Sequence, residues 1–190
     1  RPIEEKESWR WLEGAAQASS ICCAAQDVTV IADRESDIYE AFARRPAGVH
    51  LLVRSAQDRS LDDGGRLFST ADALPESGRT ELAVPAQPGR PARTATLAVR
   101  FMPTVLAQPK NGRRDAADPA EVAVWMVDVH EVDPPAGQKP LHWRLLTTMP
   151  VGDLTTALAI ADLYRRRWAI EQLFRTMKTQ GFDIEAIRID

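Results

Sequence analysis

The sequence predicts an α/β protein. Helical and extended segments alternate through the first 60 residues, a Gly- and Pro-rich stretch of strand-like segments follows, and a strong helical pattern returns near the end. From Ile3 to about Ala18, good helix formers with acidic residues in the first turns predict a helix favoured by its dipole. DVTVIAD, Asp27 to Asp33, is a β-branched run of the kind found in buried parallel strands. ESDIYEAFARRP then reads as a helix ending before Pro46, and VHLLVRS, Val49 to Ser55, as a second strand. Between Leu61 and Arg144 the segments RTELAVPA, ARTATLAVRFM, EVAVWMVDVHEV and LHWRLLTTM predict four strands of an antiparallel unit, separated by polar, proline-bearing loops. From Val151 one long helix is predicted, N-capped by Asp153, running to about Gln180 and ended by Gly181.

The chain has 190 residues, 44% of them hydrophobic, which suits one domain or a core with an insertion. No stretch approaches 18 uninterrupted apolar residues and no signal-peptide pattern opens the chain, so a cytoplasmic protein without a membrane span is expected. Cys22 and Cys23 are adjacent and read as buried or reduced thiols. His50, His130 and His142 have no partner at ligand spacing, which argues against zinc. The net charge of −3 does not advertise a nucleic-acid partner. The chain opens on Arg1 without an initiator methionine, and a segment of something longer is expected.

One stretch departs from that balance. In DLYRRRWAIEQLFRTMK, at about 100° per residue, Tyr164, Arg167, Glu171 and Lys178 share an arc of roughly 60°, with Trp168 and Arg175 at its edge. Charge spacing alone reads as a solvated helix with ordinary salt bridges. Tyr164 and Trp168 beside arginines fit instead a surface that binds phosphates and stacks a base. A glutamate among phosphate binders is unfavourable unless a divalent ion lies between, so Glu171 predicts a metal and further carboxylates.

Asp33 ends the VTVIA strand, where reactive groups collect in open α/β sheets, although an aspartate there is as often a helix N-cap. DRESDIY together with YRRRWAIEQLFRTMK resembles the bacterial cut-and-paste DDE transposases of insertion-sequence family four. Their signature is Tyr, two residues, Arg, three residues, Glu, six residues, Lys, and Tyr164, Arg167, Glu171 and Lys178 meet it at every spacing. The likeness extends to EEKESWRWLE, LLVRS, ARTATLAVR and LHWRLLTTMPV, nearly the whole chain.

The resemblance implies the second part of an RNase H-like core, residues 1–60 and 151–190, interrupted by a β-rich insertion at 61–150. It implies Asp33 and Glu171 as the second and third carboxylates of a DDE triad. These would hold two Mg²⁺ ions in the intact enzyme, with Mn²⁺ able to substitute. Tyr164, Arg167 and Lys178 match phosphate-binding positions, and Trp143 matches the tryptophan that stacks a flipped base during hairpin formation. Arg54, Trp168 and Arg175 match less diagnostic DNA-contacting positions, and Arg34 is weaker still. The implied partners are double-stranded transposon ends, target DNA and a second copy in a synaptic homodimer, with a nucleoid-associated location. From alternation alone, Trp143 reads as a core residue of the β unit. No residue matches the triad's first aspartate, so the alternative is a DNA-binding or transposase-associating remnant without catalytic activity.

Overall fold

The computed structural model describes residues 5, 7–86, 91–110 and 117–179, and at 171, 172, 174, 175, 178 and 179 it describes the backbone alone. Helix α1 spans Trp9–Ile21 and leads into β1 (Val28–Ala32), a 3₁₀ turn (Arg34–Ser36), α2 (Tyr39–Ala43) and β2 (Val49–Arg54). Helix α3 (Leu67–Ala73) precedes β3 (Gly78–Val84), β4 (Arg93–Ala107), β5 (Glu121–Val132) and β6 (His142–Thr147), and α4 (Leu154–Arg165) and α5 (Arg167–Thr179) complete the order.

The strands form one six-stranded mixed sheet in the order β1-β2-β6-β5-β4-β3. β1 and β2 run parallel, and every other neighbouring pair is antiparallel. The four strands predicted between Leu61 and Arg144 are therefore present and antiparallel, and β6 hydrogen-bonds to β2 so that they continue the β1–β2 ladder.

Strand alternation divides the core between the two faces of this sheet. Leu52, Leu97, Val99, Val127, Val129, Trp143 and Leu145 face α4, which buries Ala157, Ile160, Ala161 and Tyr164 against them. Leu51, Val53, Leu106, Val124, Met126 and Leu146 face the other way, onto Tyr39 and Phe42 of α2 and Leu67 and Ala71 of α3. The uninterrupted LLV run of β2 follows from this double coverage, since both faces of that strand have apolar surroundings. At Gly78 an added Cβ would run into the Leu154 side chain, so the missing side chain lets β3 start close against α4.

Several predicted elements are corrected. The first helix begins at Trp9 rather than Ile3, and residues 1–4 lie outside the described residues. The helix expected from Glu35 to Pro46 is a 3₁₀ turn and a five-residue α2, because Ile38 is extended (φ −117°, ψ 143°) and Asp37 is used as a tertiary anchor. Helix α3 lies where only strands were expected. β1 is an edge strand and half-buried rather than enclosed. The single long terminal helix is two, interrupted at Arg166, whose N–H is shared between the carbonyls of Asp162 and Leu163. Asp153 does cap α4, accepting from the Thr156 N–H at 2.7 Å, whereas Gly181 lies outside the described residues. Cys22 and Cys23 are free thiols and exposed, not buried. No helix among the described residues is long and apolar enough to cross a membrane.

Candidate active site

The parallel pairing of β1 with β2 brings Asp33 to the carboxyl end of the sheet's edge strand. Its backbone is extended and its Oδ1 accepts the Arg34 N–H at 2.8 Å, so Asp33 caps the 3₁₀ turn that follows. That cap leaves the carboxylate 39% exposed and able to meet other groups. The cap and ligand readings of this residue are thus geometrically compatible.

Helix α4 supplies the first of those groups. Its apolar stripe against the sheet ends in Tyr164, which is fully buried and donates its hydroxyl to Asp33 Oδ1 at 3.3 Å. Burial and then the Asp33 charge raise the Tyr164 pKa, while the Arg167 and Arg54 guanidiniums act in the opposite direction. The phenol is therefore a neutral donor. Just past the interruption at Arg166, Arg167 opens α5 and places Nη2 3.3 Å from Asp33 Oδ2, with its guanidinium 5.5 Å from the Tyr164 ring centroid.

Behind Tyr164 lies an aromatic layer. The Trp143 ring is 5.9 Å from Tyr164 and 5.6 Å, edge to face, from Trp168. Trp143 is only 3% exposed and belongs to the core beneath α4, with Trp168 packed against it from outside. Arg54, in β2, donates to the His142 carbonyl at 2.9 Å. Glu171, Arg175 and Lys178 have their backbones in α5, with Glu171 one turn after Arg167; their side chains lie outside the described residues. The structure thus brings Asp33, Tyr164 and Arg167 into direct contact and puts Trp143 and Trp168 immediately behind them.

Two polar hubs supporting this region were not legible in the sequence. Asp37, 1% exposed, accepts from the N–H groups of Ala56 and Gln57, from Ser55 Oγ, and from the Arg59 guanidinium, tying the chain after β2 to the turn after Asp33. Asp128, fully buried in β5, meets His142 Nε2 at 2.7 Å, Arg144 Nε at 3.1 Å and His130 Nδ1 at 3.2 Å. Burial by itself would raise the Asp128 carboxyl; hydrogen bonds and charge from His142 and Arg144 outweigh it and hold the carboxyl below its ordinary value. A pairing signal for His130 and His142 exists only in three dimensions, because they stand opposite one another across β5 and β6.

Asp33 offers hard oxygen donors, the type that Mg²⁺ takes, and α5 carries a second carboxylate residue one turn from the arginine that reaches it. Among the described residues no group of three His, Cys, Asp or Glu side chains is arranged to hold a metal.

A sheet with helices on both faces, an aspartate at a strand's carboxyl end and a basic helix against it define an α/β protein with a strand-end site. Residues 9–190 match the family model of the transposase DDE domain. The chain belongs to that family, and its role is that of a transposase, with DNA as the substrate the family implies.

Proposed function

We propose that this chain forms the second part of the catalytic domain of a cut-and-paste transposase of the insertion-sequence family four type, working by phosphoryl transfer at transposon ends. The contact of Tyr164 and Arg167 with Asp33 carries the reading: the strand-end aspartate and the helical signature, 131 residues apart, meet at one point. In this reading Asp33 and Glu171 hold divalent ions, Mg²⁺ with Mn²⁺ as substitute. When bound, these ions supply activation of the attacking oxygen and stabilisation of the leaving one. The chain's own residues do the positioning. Tyr164 and Arg167 hold the Asp33 carboxylate in place until a metal and DNA share the site, and Arg167 and Lys178 then bind phosphates.

Trp143 receives a flipped base during hairpin formation in the same reading, which requires Trp168 to move aside because the Trp143 ring has almost no free surface here. Residues 1–60 and 151–190 make up the RNase H-like part and 61–150 the β-rich insertion, and the working form is a nucleoid-associated homodimer on transposon ends and target DNA.

The test is Glu171→Gln, alongside Asp33→Asn, in the complete enzyme. Each is expected to abolish strand cleavage while leaving DNA binding nearly intact, since a metal ligand is removed and the phosphate grips remain. Cleavage retained above about a tenth of the parent rate, a barrier change under about 1.4 kcal/mol, would refute the assignment. A second reading, a chain that binds DNA without cutting it, is favoured by the Arg167–Asp33 ion pair, which already meets the aspartate's charge. Mg²⁺-dependent nicking by the purified 190 residues would eliminate it.

A further inference from the structure

β3 pairs with β4 only along Arg93–Val99. Farther along β4 the chain that follows β2 takes its place: Leu61 bridges Leu106, and the Asp62 N–H donates to the Val105 carbonyl at 3.2 Å. A cavity of about 480 Å³ opens there, with Asp62, Asp63, Met102, Pro103, Thr104 and Trp125 in its lining. It shares no residue with the strand-end site at Asp33.

The cavity is acidic. No lysine, arginine or histidine lines it, although the chain has 24 lysines and arginines, and among the described residues neither Asp62 nor Asp63 has an ion-pair partner. Asp63 is held instead by the Gly65 N–H, 2.7 Å from Oδ1; a Cβ on Gly65 would stand 2.9 Å from that oxygen, so glycine permits the approach. Two neighbouring carboxylates repel one another, and a cation between them relieves the repulsion.

Thr104 is an independent sign of a ligand. The residue is 5% exposed, lines the cavity, and has its Oγ1 buried without a hydrogen-bond partner, a state that buried polar groups rarely keep. Its lone pairs can accept from a donor brought in by a ligand. The walls then decide which cation fits. Pro103 is exposed and Met102 and Trp125 are half-buried, an apolar surface that a hydrated inorganic ion does not cover and an organic cation does. Trp125 also offers a π face to a cation. The volume lies within the range of small-molecule sites, about 300 to 1,000 Å³.

We propose that this cavity binds a small primary amine with an apolar body. Its ammonium has three N–H donors, which go to the carboxylates of Asp62 and Asp63 and to Thr104 Oγ1, and its hydrocarbon lies over Met102, Pro103 and Trp125.

Isothermal titration calorimetry of the 190-residue chain with 2-phenylethylammonium chloride, at fixed ionic strength, tests this. Saturable one-to-one binding is expected, with a melting temperature that rises with amine concentration. 2-Phenylethanol, which keeps the body and lacks the charge, should bind at least about tenfold more weakly. Asp62→Asn with Asp63→Asn should weaken amine binding by about tenfold or more while keeping a side-chain acceptor for the Gly65 N–H. Thr104→Val should weaken it about three- to tenfold yet melt at or above the parent, since a buried hydroxyl without a partner is replaced by a methyl group. Glu81→Gln, at an exposed carboxylate of β3 outside the cavity, should leave the affinity unchanged. The site is overturned if no saturable binding occurs up to about 10 mM amine, or if the alcohol binds as tightly as the amine. It is equally overturned if Glu81→Gln weakens binding as much as the aspartate variants, because general charge would then account for it. Unchanged affinity in Thr104→Val overturns the placement of the ammonium. Tighter binding of Nα-acetyl-lysine methylamide than of the free amine overturns the small-molecule assignment in favour of a lysine side chain from another protein.

Discussion

Replacing Asp37 with alanine removes five hydrogen bonds at once: 2.7 and 3.0 Å from the Ala56 and Gln57 N–H groups, 3.2 Å from Ser55 Oγ, and 2.9 and 2.6 Å from Arg59. No water can replace them easily, because Asp37 is 1% exposed and Arg59 7%. The Arg59 guanidinium would become a buried cation without a counter-charge, and stranding one member of a buried pair costs about 3 to 5 kcal/mol. For a domain of this size that corresponds to a melting temperature about 6 to 20 °C lower. Adding Arg59→Met to Asp37→Ala should recover part of that stability, since the unpaired charge is removed and only the two orphaned N–H groups remain, the Ser55 hydroxyl keeping the Gln57 carbonyl as its acceptor. DNA binding should weaken in parallel, because Arg54 lies immediately before the anchored Ser55, Ala56 and Gln57. Urea unfolding of the single and double variants decides the matter. A single-variant destabilisation below about 1 kcal/mol, close to the range of ordinary surface substitutions, would refute the idea that Asp37 anchors this region.

Trp143→Ala should cost about 3 to 5 kcal/mol, because the ring is a core member of the layer under α4. If it also stacks a base, Trp143→Phe should restore stability and part of hairpin formation, read on a denaturing gel; equal reduction of nicked and hairpin products would leave it a core residue alone. The Asp128 carboxyl, whose burial is outweighed by His142 and Arg144, titrates below its ordinary 3.8 in the folded protein. A depressed folded value contributes stability above pH 3.8 that fades as pH falls through the lower folded value. The stability gap between the parent and Asp128→Asn in urea should therefore narrow below pH 3.8, and a gap constant down to acid pH would contradict this.

Much of the fold was legible because local chemistry and tertiary context agree along most of the chain. The alternating strands, the apolar LLV run of β2 and the Asp153 cap are each set by periodicity or by hydrogen bonds three residues away. The spacing of Tyr164 and Arg167, and the position of Asp33 after a β-branched run, were likewise visible along one dimension. What tertiary structure decided was whatever depends on groups far apart in the chain. The break at Arg166 has no glycine or proline to announce it, yet it separates the helix that buries Tyr164 from the helix whose first residue meets Asp33. The DRESD segment reads as a helix start, but Asp37 forms bonds 18 to 22 residues away that outweigh local propensity and leave Ile38 extended. β1 has the composition of an enclosed strand and stands at a sheet edge, because edge position depends on pairing order and not on the strand's own residues. Nor could spacing place Asp128 between two histidines and an arginine, or gather Arg34, Arg54 and Lys139 around one cleft. Coulomb and hydrogen-bond energies depend on distance in space, and the pairings of β1 with β2, of β2 with β6 and of β5 with β6 bring those residues together.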